Sequence, residues 1–225
     1  PGGRLADGRP TSVVEAYSPA NGAWRPVAPL PRPLSGGLAL SDGGRLYLFG
    51  GWDGSAYTPN AYAYDPAADA WSELEPMRHA KGGSAGGLLT NRLYMVGGQD
   101  ADGPLASCEA YDIAAAEWAA CPALSQARAG AGAAAIANSA LYVLGGGPDG
   151  DLSFGEAFDL QRGAWERVEM PILAADGAWY NLGVTSLETH IYALGGRRAG
   201  EITADNYLFI PFIHRTFLPT VGNEN

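Results

Sequence analysis

A pair of adjacent glycines recurs along the chain at Gly2-Gly3, Gly50-Gly51, Gly97-Gly98, Gly145-Gly146 and Gly195-Gly196, with the second glycines 48, 47, 48 and 50 residues apart. A period near 50 residues, sustained over five copies, restricts the chain to a stack of similar units. Each unit is too small to bury its own apolar surface and must use its neighbours. An aromatic residue follows each pair by 11 to 14 positions (Tyr17, Tyr64, Tyr111, Phe158, Tyr207), and seven residues further come Trp24, Trp71, Trp118 and Trp165, with His214 in the fifth copy.

Within one period the sequence predicts four short strands. A small-residue stretch (SGGLALS, GSAGGLLT, AGAAAIA, YNLGVTS) leads through a polar turn into a bulky run (LYLF, LYMV, LYVL, IYAL) that ends at the glycine pair. After a loop of variable length come a strand closing on the tyrosine, a tight polar turn and a strand carrying the tryptophan. Apolar runs of this length suit strands covered on both faces, and no stretch has the 3.6-residue period of an amphipathic helix. The 32 glycines and 16 prolines fit a chain dense in turns.

A four-stranded unit repeated every 50 residues or so is a propeller blade. The double glycine, the spaced Tyr and Trp, and the proline-containing exits PLP, PMR and MPI resemble the kelch family, bacterial in style, over nearly the whole chain. The resemblance implies an all-β, kelch-type β-propeller with a propeller like that of galactose oxidase: a single domain over 1–225 with about five four-stranded blades. The blades are expected at 1–33 (incomplete), 34–80, 81–127, 128–176 and 177–225. The first copy begins at the glycine pair without its two inner strands, so the expectation is of a fragment whose parent chain completes the propeller upstream. In the fifth copy YLFIPFIHRTFLP departs from the pattern, as a closing blade or an exposed edge would.

The formal charge of −10 disfavours nucleic acid, whose binding draws on clustered Lys and Arg. No apolar run reaches the length of about 20 residues that spans a bilayer. The glycine pairs are read as structural: Gly50, Gly51, Gly97, Gly98, Gly145, Gly146, Gly195 and Gly196 permit positive φ and close packing. A phosphate loop would need a following helix or the lysine of G-x-x-x-x-G-K-[ST], and no copy supplies either. Tyr64, Trp71, Tyr111, Trp118 and Trp165 are assigned to packing between blades.

Cys108 and Cys121 fall on facing strands. If Tyr111 pairs with Trp118, then Cys108 pairs with Cys121, because both pairs sum to 229. They suit either small core positions or a cross-strand disulfide, the latter pointing to an extracytoplasmic setting. His79, His190 and His214 lie in different parts of the repeat and are not expected to meet, so neither a metal site nor a cofactor is assigned, and no nucleophile–base constellation is either.

The resemblance implies that the blade-to-blade links and the loops after the glycine pairs surround one mouth of the central channel, with arginines facing acidic ligands. Arg32, Arg78 with Lys81, and Arg128 occupy three successive links, and Trp52, Asp53, Tyr57 and Asp100 occupy the loops. Asp102, Asp149 and Asp151, with Arg4, Arg9, Arg197 and Arg198 from the terminal copies, add mixed charge. Each has a bland alternative: solvated charge for the ions, packing within its own loop for Trp52. The expected function is a non-enzymatic interaction module that binds a protein segment or a glycan through loops on one face. The alternative is a mutarotase or epimerase resembling the sialic-acid kelch enzymes, with His79, Arg78 or Asp100 as acid–base groups. The Tyr-His ligand cluster of a kelch-like oxidase is not found in this sequence, and a ubiquitin-ligase adaptor would require an upstream dimerisation and ligase-binding module.

Overall fold

The computed structural model describes residues 1–147, 154–169, 179–198 and 200–211, and every regular element among them is a strand. The first blade contributes a two-stranded hairpin, β1 (Glu15–Ser18) with β2 (Ala23–Pro26). The second blade is a complete antiparallel sheet of β3 (Leu38–Ser41), β4 (Leu46–Phe49), β5 (Ala61–Asp65) and β6 (Ala70–Leu74), ordered from the channel outward. In the third, β7 (Ala85–Leu89), β8 (Arg92–Val96), β11 (Cys108–Asp112) and β12 (Glu117–Ala120) repeat that order, and the hairpin β9 (Gln99–Asp100) with β10 (Gly103–Pro104) forms its loop. The fourth is β13 (Gly132–Ile136), β14 (Ala140–Leu144), β15 (Phe154–Asp159) and β16 (Ala164–Glu169).

The described part of the fifth blade has β18 (Gly183–Leu187), β19 (His190–Leu194) and β22 (Asn206–Phe209). A small sheet of β17 (Trp179–Tyr180), β20 (Arg197–Arg198) and β21 (Glu201–Ile202) flanks it. His214, and the rest of the departing sequence beyond residue 211, lie outside the described residues, as do Asp149 and Asp151.

Successive blades share their cores. One cluster joins Val14 and Leu30 of the first blade to Leu48 and Tyr62 of the second. The next joins Tyr47 and Phe49 to Leu93, Met95 and Tyr111. A third joins Tyr94 and Val96 to Leu141, Val143 and Phe158, and a fourth joins Tyr142 and Leu144 to Ile191 and Ala193. The apolar runs are therefore buried on both sheet faces by neighbouring blades, as the sequence expectation requires. Contacts between β3 and β7, β7 and β13, and β13 and β18 set the innermost strands side by side about the channel.

Register puts Tyr64 opposite Trp71, Tyr111 opposite Trp118, and Phe158 opposite Trp165. Each pair is in tilted ring contact, with centroids 5.1, 5.1 and 5.3 Å apart. Each indole does more than fill space. Trp71 Nε1–H donates to the Ala28 carbonyl, Trp118 to that of Glu75 and Trp165 to that of Pro122, at 2.9, 2.7 and 2.7 Å, every one in the preceding blade. The same register brings Cys108 beside Cys121, with Cα atoms 5.1 Å apart, and the two form a disulfide.

The fifth copy requires a correction. Ile191 pairs with Phe209, as Leu141 pairs with Phe158, so Phe209 occupies the repeated aromatic position assigned to Tyr207 from sequence. Tyr207 instead pairs with Ala193, as Glu156 pairs with Val143. The variable loop before the strand misled the count.

The indole bonds make a graded prediction. Trp71→Phe, Trp118→Phe and Trp165→Phe each retain the ring and remove the donor, leaving a carbonyl of the preceding blade without its partner. Each should lower unfolding free energy by about 1 kcal/mol in urea titration. Trp24 is 66% exposed and packs on Tyr17, so Trp24→Phe should stay within about 0.5 kcal/mol of the parent. Equal losses at all four positions would refute the inter-blade role.

Candidate functional site

The loops after the glycine pairs are held by a repeated backbone motif. Ser35 and Trp52 exchange two backbone hydrogen bonds (Ser35 N–H to Trp52 O 3.0 Å, Trp52 N–H to Ser35 O 2.8 Å), and Gly82 and Gln99 do the same at 3.0 and 2.8 Å. Trp52 and Gln99, each the residue just after a glycine pair, are thereby placed around one end of the channel. Trp52 also bridges to Tyr57 across its own short loop.

Between these loops runs a second repeated feature. Gly83 N–H donates to Gly36 O (2.8 Å), Gly130 N–H to Gly83 O (3.0 Å) and Asn181 N–H to Gly130 O (2.6 Å), stepping from blade to blade. All four residues are left-handed, with φ of 66, 63, 68 and 54°. Glycine holds that conformation without a Cβ penalty and asparagine tolerates it. The result is a rim of peptide groups with little side-chain bulk.

A recess of about 410 Å³ opens on this rim, floored by Gly3, Gly36, Gly82 and Gly83 and walled by Arg4, Ser35, Trp52, Tyr57, Gln99 and Asn181. The walls support one another. The Arg4 guanidinium lies over the Trp52 ring, 5.4 Å from its centroid, a cation–π arrangement. Gln99 Nε2–H donates to the Tyr57 hydroxyl. The Tyr57 ring packs so closely on Gly82 that a Cβ there would sit 3.1 Å from it. Ser35 is buried and its Oγ has no hydrogen-bond partner among the described residues.

Of the residues singled out from sequence, Trp52 and Tyr57 line this recess. Asp53 spends its carboxylate on the loop itself, accepting from Ser55 N–H, Ser55 Oγ–H and Ala56 N–H at 2.8 to 2.9 Å. Those bonds, led by the one from Ala56, hold its pKa down at about 2. The exposed Arg32 is close enough to add to the lowering, and its charge also reaches the Tyr62 phenol. Asp100 caps the β9–β10 hairpin by accepting from Asp102 N–H. Arg78 donates to the Trp118 carbonyl at 3.2 Å and lines a different hollow with Glu75 and Trp118. The glycine pairs are structural: a Cβ on Gly50 would collide with the Lys81 carbonyl, and Gly51 N–H donates to that oxygen at 2.9 Å.

Lys81 and Arg128 are corrections. Both were expected on a solvent-facing basic rim, and both side chains are fully buried. Lys81 Nζ lies 3.1 Å from Glu109 Oε1, and Glu109 Oε2 accepts from the Arg78 backbone N–H at 2.8 Å. Arg128 pairs with Glu156 at 3.1 Å and also donates to the carbonyls of Gly145 and Phe154 at 2.8 and 3.0 Å. Burial lowers the pKa of both cations, opposed by the paired carboxylates. In the second blade the same niche holds Leu34 and Tyr62, and in the fifth Trp179 and Tyr207, whose rings meet edge-on at 5.4 Å. These cations are therefore interior packing units, and their charge is spent on a partner.

The recess residues missed from sequence are Ser35, Gln99 and Asn181, together with Arg4, which stood out only as loop charge. Gln99 and Arg4 share with Trp52 the position after a glycine pair, and that spacing was the available signal. Ser35 and Asn181 carry no signal outside the three-dimensional rim. His79 approaches Glu109 Oε1 at 3.6 Å, and so is drawn toward the buried ion pair. Among the described residues no group of three or more His, Cys, Asp or Glu is placed to hold a metal ion, and no helix is long and apolar enough to cross a membrane.

The family model described as "Kelch motif" matches residues 33–78 and 82–125, the second and third blades. No curated protein matched the sequence. Among solved structures the chain is similar to one titled "Structure of YjhT", with a TM-score of 0.80 and 15% identity over 94% of this chain and 77% of that one. At that identity the likeness establishes the fold.

The shared niche predicts a swap. Glu109→Gln or Glu156→Gln should cost about 3–5 kcal/mol by leaving a buried cation without its counter-charge. The double variant Lys81→Leu/Glu109→Tyr, which copies the second blade, should stay within about 1 kcal/mol of the parent. A double variant as unstable as the singles would show that the ion pair is specifically required.

Proposed function

We propose that this chain, a kelch-repeat β-propeller, is a non-enzymatic interaction module that captures a protein segment or a glycan in the recess at one mouth of its channel. The observation that carries the reading is the convergence there of an indole, a phenol, two carboxamides and a guanidinium on a glycine floor. Such a set offers apolar contact with a few fixed polar groups, the composition of a binding site. The strands hold the loops rigidly, so the groups keep their spacing before a ligand arrives and little ordering cost is left to binding.

The acid–base candidates of the alternative mutarotase reading are engaged elsewhere. Arg78 reaches the Trp118 carbonyl, His79 is beside Glu109, and Asp100 caps its own hairpin. This distribution favours binding over proton transfer, which requires groups within hydrogen-bond reach of one substrate. Arg32 remains as an exposed cation beside the recess loops, so the basic rim contracts from four residues to Arg32 with Arg4. The Cys108–Cys121 disulfide supports an oxidising, extracytoplasmic setting. The blades at 1–33, 34–80, 81–127, 128–176 and 177–225 act as one domain in this reading.

An array of immobilised peptides and glycans, probed with the parent protein, Trp52→Ala and Arg32→Ala, tests the proposal. Retained ligands should lose at least about tenfold in affinity with Trp52→Ala and severalfold with Arg32→Ala. Binding that neither variant alters would rule out this face. Sugar anomerisation followed by NMR should proceed at the uncatalysed rate with protein present, and acceleration would favour the enzyme.

A further inference from the structure

We infer that the Cys108–Cys121 cystine is a redox-operated latch on the outer joint between the third and fourth blades. Oxidised, it holds the Pro122 carbonyl on the Trp165 indole. Reduced by a dithiol, it releases that bond and frees the edge of the third blade while the blades stay folded.

Comparison of the blades shows what the cystine replaces. Each carbonyl that accepts from an inter-blade indole belongs to the residue just after one cross-strand position: Ala28 after Val27, Glu75 after Leu74, Pro122 after Cys121. In the first two blades backbone hydrogen bonds fix that position. Val27 N–H donates to the Val14 carbonyl at 3.0 Å, and strand pairing in the second blade runs out to Ala61 opposite Leu74. In the third blade the pairing of β11 with β12 ends at Glu109 opposite Ala120, one position short of the cystine. Cys121 N–H stands 3.4 Å from the Cys108 carbonyl, beyond the range of about 2.7–3.2 Å of an ordinary N–H···O bond. Pro122 follows and has no N–H with which to extend the ladder. The covalent bond therefore does here what the backbone does in the two blades before it.

The released segment has defined ends. Trp118 is anchored by its bond to the Glu75 carbonyl and by ring contacts with Phe49 and Tyr111. At the other end Ser125 N–H donates to Glu156 Oε2 at 2.8 Å, and buried Arg128 pairs with the same carboxylate. Between these anchors, residues 119–124 are held to their own blade by the end of the β11–β12 ladder, by Leu124 N–H bonded to Ala106 O at 2.9 Å, and by the cystine. The homologous pairs Val14/Val27, Ala61/Leu74 and Gly155/Val168 are not cross-linked, so a blade of this design stands without the covalent bond. Cys108 is buried and Cys121 partly exposed, so attack by a dithiol falls on Cys121 Sγ. The dithiol's thiolate bonds to that sulfur, the S–S bond breaks, and Cys108 leaves as a thiolate that takes up a proton. The second thiol then displaces Cys121 and closes the reductant's own disulfide, so the dithiol is oxidised as the cystine gains two electrons and two protons. The latch is shut in an oxidising setting and opens where dithiols are plentiful.

The test is hydrogen exchange of the native protein read by mass spectrometry, before and after treatment with dithiothreitol, with thiol labelling to count the cysteines released. Reduction should expose both thiols and speed exchange in peptides covering 119–124 at least about tenfold, while β8 and β14 keep their protection. Reoxidation should restore the slow exchange. The indole supplies a second readout: the roughly fivefold drop in folding constant expected of Trp165→Phe in oxidised protein should shrink below about twofold in reduced protein. Cys108→Ala/Cys121→Leu, which copies the second blade, should exchange at one rate with and without dithiothreitol. Cys108→Val/Cys121→Val, the pair of the first blade, serves if that variant fails to fold. Unchanged exchange at 119–124 after reduction would overturn the inference, as would a cystine that dithiothreitol cannot open in the folded protein. A Trp165→Phe loss equal in both redox states would overturn it as well. So would loss of protection in β8 and β14 along with 119–124, which would make the cystine a staple of the whole fold.

Discussion

The structure depends on one recurring contact: the second glycine of each of the first four pairs donating its N–H to the link of the next blade. Gly3 bonds to Leu34, Gly51 to Lys81, Gly98 to Arg128 and Gly146 to Trp179, at 2.7 to 2.9 Å. The approach is so close that the preceding glycine has no space for a Cβ, and both glycines are left-handed. One dipeptide thus ends an inner strand, turns the chain and ties one blade to the next. The period of the whole protein follows, since any larger residue there would push two blades apart. The indole bonds to the preceding blade tie the outer edge in the opposite direction along the chain.

What fills the space behind that contact varies, and the variation obeys a rule. The link residue is Leu34, Lys81, Arg128 or Trp179, and 28 residues later comes Tyr62, Glu109, Glu156 or Tyr207. An apolar link residue accompanies a tyrosine, and a cation accompanies a glutamate. Both solutions fill one interior volume, and the ionic one holds only with its carboxylate bonded to the backbone as well. Buried charge here serves the fold, which is why two of the most conspicuous cations in the sequence contribute nothing to the recognition surface.

Much of the architecture was legible because a repeat repeats its physics. The glycine pairs, the four-strand unit, the Tyr–Trp register and the facing of Cys108 and Cys121 could all be read by comparing copies. Where the reading failed, a better comparison was present. In the second and third copies the tyrosine follows the second glycine by 13 residues, and the same count from Gly196 reaches Phe209 rather than Tyr207, although the fourth copy takes 12. The fixed offset of 28 between Lys81 and Glu109, and between Arg128 and Glu156, marked these as partners. Trp52 and Tyr57 stood out because they break the repeat. Ser35 and Asn181 did not, because small polar residues in links are ordinary, and only the stepping rim of peptide bonds brings them to one recess.

The recess inherits its form from that rim. Left-handed glycines keep the floor free of side chains, and the paired peptide bonds at Ser35–Trp52 and Gly82–Gln99 fix the walls, so the binding surface is a by-product of joining blades. The most direct measurement is native-state amide hydrogen exchange at the inter-blade donors Gly51, Gly83, Gly98, Gly130 and Gly146. Blades joined through these peptides predict protection at all five comparable to that of the central strands β8 and β14, lost only with global unfolding. Exchange at the rate of exposed loops, with β8 and β14 still protected, would contradict the account.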